Sequence, residues 1–454
     1  MGFCPSCDEH APLVEAPQPS RAPSARSVGW HGAATSVLQE LSQVSSAEQE
    51  RIPLAFGELN RVLGGGIVPG SLVLMAGEPG IGKSTLLLQT AQFVASAGSK
   101  VAYVSGEESA HQIKLRSERL GTSGKGIYLL AETDVDEVVR QLEEFRPALA
   151  VVDSVQTLYA QGISSGQGSV AQVKECTLRL MNWAKARAVP VIMSGHMTKE
   201  GAIAGPRVLE HMVDVVLYLE GENLSAYRIL RGSKNRFGST NEVGIFQMGG
   251  NGLEEVSDPS SVLLSQHQEE AVGSAIVPVQ EGSRPLLVEI QALTSPSMLP
   301  VPRRIANGVN HNRLLMLTAV LGRRAGLGLD NQDIIVNVVG GLRVEEPAAD
   351  VAVALAIASS LRNAPLTSGM VALGEVGLSG ELRPVPQLQR RLNEASRLGF
   401  HRCLLPALSK KDAEGTEGIE ATYSPTLAHA LQKCLPKGEG RATGRMSEFA
   451  EERA

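Results

Sequence analysis

Nine residues, 77–85 (GEPGIGKST), constrain this 454-residue chain more than any other stretch. The apolar run 71–76 (SLVLMA) precedes them, and the helix-forming run 86–91 (LLLQTA) follows. Strand, glycine-rich turn and helix in that order make a phosphate-binding loop. Gly77, Gly80 and Gly82 accept backbone angles closed to other residues and bring no side chain to hold a phosphate away. Backbone N–H groups then converge on the β-phosphate at the positive helix end. Glu78, Pro79 and Ile81 complete the turn, which Pro79 stiffens. Lys83 is expected to reach the β- and γ-phosphates and the Ser84 hydroxyl to ligate Mg²⁺, with Thr85 closing the motif. The expected ligand is a nucleoside triphosphate.

The composition is that of a soluble globular protein. The hydrophobic fraction is 43% and the charged fraction 20%, and no apolar run approaches the ~20 residues of a membrane span. The N-terminus lacks the apolar stretch of a secretion signal, so a cytoplasmic location is expected. Net charge is −6, so any nucleic-acid contact must come from local basic stripes. Five cysteines (Cys4, Cys7, Cys176, Cys403, Cys434) are too few and scattered for a disulfide scaffold.

After the loop, β-branched apolar runs at 101–104, 127–130, 149–152 and 189–193 alternate with helical patterns at 109–119, 135–145 and 173–187. That alternation predicts a parallel sheet covered on both faces, whose ligands collect at the carboxyl ends of the strands. Four polar residues end those strands. Asp153 closes LAVVD and is placed to hold a Mg²⁺-bound water. Glu107 and Glu108 end the second strand; one of them, Glu107 first, is expected to orient the attacking water, against the alternative that they cap the next helix. His196 is a candidate γ-phosphate sensor, with a capping or core role as its rival.

Basic candidates are less specific. The glycine-rich loops 162–168 and 199–206 follow sheet strands and can line a channel for single-stranded DNA, with Lys199 and Arg207 facing phosphates, or be mobile solvent loops. Aromatics make up only 4% of the chain, so backbone contact is expected to outweigh base stacking. Arg228, Arg231, Lys234 and Arg236 form a basic stretch; strict alternation puts Arg228 and Lys234 on one face if a single strand carries both. At the start, Cys4 and Cys7 form one C-x-x-C, with His10 as a third candidate ligand; a closed Zn²⁺ site needs four.

The motifs SGEES (105–109), VVDS (151–154) and SGHMTKEG (194–201) resemble a RecA-type ATPase core. KNRFG (234–238) with GPRVLEHMVD (205–214) resembles the RadA (Sms) family of bacterial DNA repair proteins over nearly the whole chain. The resemblance implies a hexameric, DNA-dependent ATPase that acts on single-stranded DNA as a helicase motor and drives branch migration with the recombinase RecA. It also implies that Lys234 and Arg236 reach a neighbour's nucleotide as catalytic cations. VNVVGGLRVEEPAAD (336–350) and GEVGLSGELRPV (374–385) resemble the proteolytic domain of Lon proteases. That chemistry needs a serine and a lysine, and their positions fall at about Ala348 and Gln389. A non-proteolytic scaffold is therefore expected, with Arg323, Arg324, Arg390 and Arg391 as DNA-contact candidates.

The expected organisation is half of a zinc-ribbon-like module (1–15), a linker (16–35), a RecA-like P-loop ATPase with a mostly parallel sheet (36–253), and a linker (254–268). A Lon-protease-like α/β domain (269–437) and a disordered tail (438–454) follow. The family's zinc module has two C-x-x-C pairs; the single pair here reflects either a true loss of the finger or, as expected, a natural start further upstream. The alternative function is a RecA-like regulatory ATPase that assembles protein partners without moving DNA. An active ATP-dependent protease is disfavoured by the missing Ser/Lys pair.

Overall fold

The computed structural model describes residues 40, 50–196, 208–221, 227–264, 267–268, 270–415 and 418–435. Cys4, Cys7, His10, Lys199, Arg207, the linker 16–35 and the tail 438–454 lie outside them.

A short helix, α1 (Gly57–Leu63), leads into β1 (Leu72–Gly77), whose end opens the phosphate loop, and α2 (Lys83–Ser96) follows it. Then come β2 (Val101–Ser105), α3 (Ala110–Arg119), β3 (Ile127–Ala131), α4 (Val135–Phe145), β4 (Leu149–Asp153), α5 (Val170–Arg187) and β5 (Val191–His196). Four further strands, β6 (Val215–Glu220), β7 (Tyr227–Asn235), β8 (Val243–Gly249) and β9 (Gly252–Glu255), complete a nine-stranded sheet in the order β3-β2-β4-β5-β1-β6-β7-β8-β9. The first six strands are parallel and β7–β9 form an antiparallel meander.

Every residue of β1, β2 and β4 is buried, as a sheet covered on both faces requires. Alternation divides the core. Val73, Met75, Tyr103, Val151 and Ile192 pack toward α1, α2 and α3. Leu74, Val104, Val152 and Met193 pack toward α4 and α5. The helices begin where the sequence offers caps: Ser109 with Gln112 forms a capping box, and Asp134 and Ser169 accept from backbone N–H groups of the first turns of α4 and α5.

The stretch 254–268, expected as a linker, holds α6 (Pro259–Leu263), whose Leu263 joins the second core. The second half runs β10 (Ser274–Glu281), β11 (Arg284–Pro296), β12 (Arg304–Asn307), α7 (His311–Ala325), β13 (Gln332–Val338), α8 (Asp350–Arg362), β14 (Met370–Ala372), β15 (Glu375–Val376), β16 (Leu382–Arg383), α9 (Leu388–Arg397), β17 (Arg402–Pro406), β18 (Glu420–Ser424) and α10 (Leu427–Cys434). Its main sheet has the order β12-β13-β11-β10-β14-β17-β18. The small residues of α8 (DVAVALAIASSLR) let it pack closely on β10 and β11, with its first ten residues buried.

The halves are joined by packing and by charge. Ile229, Val243, Ile245 and Val256 of the first half belong to the core of the second. Glu58, 4% exposed, accepts from Arg284 at 3.1 Å and from the Ile245 N–H at 3.0 Å. Arg231 pairs with Glu281 at 2.6 Å, and Arg397 grips both oxygens of Asp258 at 2.8 Å.

Candidate active site

The phosphate loop turns where only glycine turns cheaply. Gly80 has φ +77° and Gly82 φ +115°, and a Cβ on Gly77 would sit 2.6 Å from the Leu219 carbonyl on β6. Lys83 starts α2 with 4% exposure. Its Nζ donates to the carbonyls of Gly77 and Glu78, each at 3.0 Å, and lies 3.2 Å from His196 Nδ1. Burial pulls its pKa down, while Asp153 and Glu107 push it back up. Ser84 and Thr85 stand in the same first turn, half-buried.

The strand ends bring three of the four predicted carboxylate and imidazole groups together. Asp153, 7% exposed at the end of β4, accepts from Tyr103 Oη at 2.8 Å and Ser194 Oγ at 2.5 Å, one donor on each oxygen. His196 lies between Lys83 and Glu107, with Nε2 3.2 Å from Glu107 Oε1. A lysine ammonium can only donate, so Nδ1 accepts and Nε2–H donates to the carboxylate; the tautomer follows from the network. Ser154 Oγ donates to the same Glu107 oxygen at 2.5 Å. The His196 hydrogen bond, with help from Ser154 and Lys83, holds the Glu107 carboxyl at about 2, against a burial effect that raises it. Gln156 fixes the His196 backbone from both sides, donating to its carbonyl at 3.0 Å and accepting from its N–H at 2.8 Å.

Glu108 is turned elsewhere. Its carboxylate pairs with Arg116 of α3, and its N–H donates to Ser105 Oγ at 3.0 Å. Of the two glutamates, Glu107 is the one beside Lys83 and His196. The Ser84 hydroxyl and the Asp153 carboxylate are hard oxygen donors, and a carboxylate that spends one lone pair per oxygen on a hydroxyl keeps others for a metal-bound water. This donor set fits Mg²⁺.

The basic stretch on β7 is not a surface run. Arg228 is 7% exposed, and Arg231 is held by Glu220 at 3.0 Å as well as by Glu281. The strand does extend through Asn235, but Lys234 pairs with Val216 and Gly232 with Leu217, leaving Ser233 as a bulge. The extra residue reverses the alternation, so Arg228 and Lys234 occupy opposite faces. Lys234 Nζ donates to the carbonyls of Glu210 and Val213 at 2.7 and 2.8 Å, and Arg236 NH1 donates to Asp214 Oδ1 at 3.0 Å. Asn235 lies beside Val215, and Val215 beside Val73. Lys234 and Arg236 therefore stand at the amino end of the sheet, opposite the phosphate loop.

Among the DNA-contact candidates, Arg323 and Arg324 are exposed in the last turn of α7, and Arg390 is exposed on α9. Arg391 is a correction. It is 1% exposed, donates to the Pro278 carbonyl at 2.8 Å and forks both oxygens of Glu346 at 2.6 and 2.7 Å, so it holds α9 to the second sheet and presents nothing to solvent. The glycine-rich loop 162–168 hangs from Gln172, 3% exposed, whose amide donates to Ile163 and Ser165 carbonyls at 3.3 and 3.1 Å. Ala348 is buried just before α8, and Gln389 is exposed on α9, its amide on the Glu414 carbonyl at 3.1 Å. Among the described residues no cluster of three or more His, Cys, Asp or Glu side chains is arranged to hold a metal ion, and no helix is long and apolar enough to cross a membrane.

Sequence reasoning missed Tyr103, Ser154, Gln156 and Ser194. Tyr103 lies within a predicted strand, Ser154 and Ser194 at strand ends, and Gln156 in the turn after β4; hydroxyl or amide residues there carried the only signal.

This geometry defines a RecA-like P-loop ATPase, whose ligands are ATP and its divalent cation, followed by a Lon-protease-like α/β half. Residues 39–202 match the family described as AAA domain, and residues 310–409 the one described as subunit ChlI of Mg-chelatase. Proteins named DNA repair protein RadA match nearly end to end. That of Halalkalibacterium halodurans is 51% identical over 435 residues, 96% of this chain and 95% of its own. Those of Listeria monocytogenes and Bacillus subtilis are 48% and 46% identical over the same shares. Two solved structures are similar over less of the chain. The RadB recombinase is 25% identical with a TM-score of 0.36, covering 44% of this chain and 97% of its own. The flagellar accessory protein FlaH of Methanocaldococcus jannaschii is 16% identical with a TM-score of 0.39, covering 46% and 99%. The chain belongs to the RadA family.

Proposed function

We propose that this protein is a cytoplasmic DNA-dependent ATPase of DNA repair and recombination, a ring-shaped and most simply hexameric motor on single-stranded DNA that promotes branch migration with RecA. One observation carries the reading. Lys83, Glu107, His196 and Asp153 gather at one end of the sheet, whereas Lys234 and Arg236 stand at the other. If the two basic residues serve catalysis, as the family motif implies, each nucleotide lies between two subunits.

In this reading, Lys83 leaves its loop carbonyls for the β- and γ-phosphates, and the loop N–H groups take the β-phosphate. Ser84, and Asp153 through a water, would hold Mg²⁺, which would supply charge neutralisation at the phosphates. Glu107 stays charged at any physiological pH, but a carboxylate at about 2 is a weak proton acceptor. It orients the attacking water more than it removes a proton early. His196, between Lys83 and Glu107, links the cation that touches the γ-phosphate to the group that aims the water. Lys234 and Arg236 of the adjacent subunit add positive charge as it is needed in the transition state. Lys199, Arg207, Arg323, Arg324 and Arg390 are the proposed DNA contacts. The Lon-like half, with Ala348 and Gln389 where the protease has its nucleophile and base, acts as scaffold. In this reading residues 36–253 form the ATPase half and 269–437 the Lon-like half, and Cys4 and Cys7, with only His10 beside them, leave a Zn²⁺ site short of its four ligands and a weak binder.

ATPase assays with and without single-stranded DNA test it. Strong stimulation is expected. A rate indifferent to DNA over a range of salt would instead favour an ATPase that assembles protein partners.

A further inference from the structure

Arg228 belongs to the basic stretch of β7, yet it is buried behind the phosphate loop. Its Nε donates to the Ile81 carbonyl at 3.2 Å, and its NH1 to the Tyr227 carbonyl at 2.8 Å. The planar guanidinium suits such a double engagement, because its donors are fixed in one fork. Room for its stem comes from Gly221, where a Cβ would lie 2.8 Å from Arg228 Cδ. Ile81 itself is 2% exposed.

We infer that Arg228 is a positioning residue for nucleotide binding: by pinning the Ile81 carbonyl away from the cradle, it turns the Gly82 N–H into it. The inference rests on the reading of residues 77–85 as the nucleotide site. The link is covalent geometry. A trans peptide is planar, with its C=O and N–H pointing in opposite directions, so fixing the oxygen on residue 81 fixes the N–H on residue 82. Gly82 needs such fixing. It sits at φ +115°, and glycine alone does not hold that angle against its many alternatives. Met248 packs behind the same residue, since a Cβ on Gly82 would meet its Cε at 2.7 Å. The loop is thus braced from outside by β7 and β8 of its own subunit.

A residue that preorganises the cradle acts on ATP and ADP alike, because both carry the β-phosphate that the loop N–H groups bind. Loss of a charged donor to a buried carbonyl should weaken fluorescent ADP binding by Arg228→Gln ~10-fold and raise the KM for ATP by a similar factor. kcat should fall much less, since Lys83 and Glu107 are untouched. Arg228→Lys, which keeps one charged donor, should recover part of the affinity. The titration midpoint reports only folded molecules and the amplitude reports their number, so a simple loss of stability would lower the amplitude and leave the midpoint in place. An unchanged midpoint in Arg228→Gln would overturn the inference while leaving the nucleotide site intact. Unfolding of both variants would assign the arginine to the fold instead and overturn it as well. If the wild-type chain itself fails to bind ADP, the site reading falls first and takes the inference with it.

Discussion

Arg236→Ala is the sharpest test of the two-subunit site. Between the phosphate loop and the KNRFG strand end lie the five residue steps of β1, ~17 Å at strand rise. An arginine side chain cannot span that within its own subunit, so any catalytic effect must be exerted on a neighbour's nucleotide. Arginines that neutralise a transferring phosphoryl group are worth ~10³-fold or more in kcat, and Arg236→Ala should lose turnover on that scale while still binding fluorescent ADP normally. The trans geometry then makes a quantitative prediction for mixtures with Glu107→Gln, which carries the lesion on the loop side. In a head-to-tail ring mixed at random in equal amounts, ~1/4 of the interfaces pair the intact Glu107 of one variant with the intact Arg236 of the other. DNA-stimulated ATPase of the mixture should therefore rise well above either parent, toward about a quarter of wild type if sites fire independently. Co-assembly is checked by pull-down of differently tagged variants. Co-assembly without rescue at any ratio would refute the reasoning, as would Arg236→Ala turning over at the wild-type rate.

Lys83→Ala should abolish hydrolysis, since the γ-phosphate loses its main cation; steady-state phosphate release checks it, and a wild-type rate would end the motor reading. The depressed Glu107 carboxyl stabilises the fold above its ordinary pKa of 4.5, and that contribution is lost as pH falls toward about 2. Urea unfolding between pH 5 and pH 3 should thus show wild type losing more stability than Glu107→Gln, by a modest margin because the side chain is 42% exposed. Arg391→Met should cost ~3 kcal/mol in the second half by stranding Glu346 and the Pro278 carbonyl, with single-stranded DNA affinity unchanged; weaker DNA binding at full stability would return Arg391 to the DNA surface. Casein incubated with ATP and the purified protein should survive intact, and cleavage that persists through purification would remove the scaffold role.

The sequence was most legible where local pattern and tertiary role coincide. Short β-branched apolar runs such as LAVVD, alternating with helical patterns, read as buried parallel strands, and the phosphate loop has a fixed order of strand, turn and helix; both appear within a few residues of expectation. Glu107 and Glu108 both lie past the end of β2, and what separates them is their partners: Glu107 meets His196 and Ser154, whereas Glu108 pairs with Arg116. What stayed hidden depends on distant partners. Arg391 and an exposed arginine such as Arg390 read alike in a helix, and only Glu346, 45 positions away in the chain, makes one of them structural. Ser233 reads as an ordinary strand residue, yet its bulge reverses the faces of everything after it. The division between halves was blurred for the same reason: Ile229 and Ile245 look like core residues of the first sheet, and they are claimed by the second.

That sharing bears on how the proposed motor would transmit its cycle. β7 carries four roles in nine residues: Arg228 braces the phosphate loop, Ile229 enters the core of the second half, Arg231 ties Glu220 to Glu281, and Lys234 sits at the far end beside Arg236. A strand paired along nearly its whole length, and on both sides at Ile229–Arg231, does not bend freely, so a displacement of the phosphate loop would be passed to the Lon-like half and to the distant strand end together. A hinge between the halves would need Arg284 to leave the buried Glu58 and the shared apolar core to open, both costly. In the proposed ring the economical movement is of the two halves as one body, with change concentrated at the boundary between subunits, where the nucleotide of one would meet the basic strand end of the next.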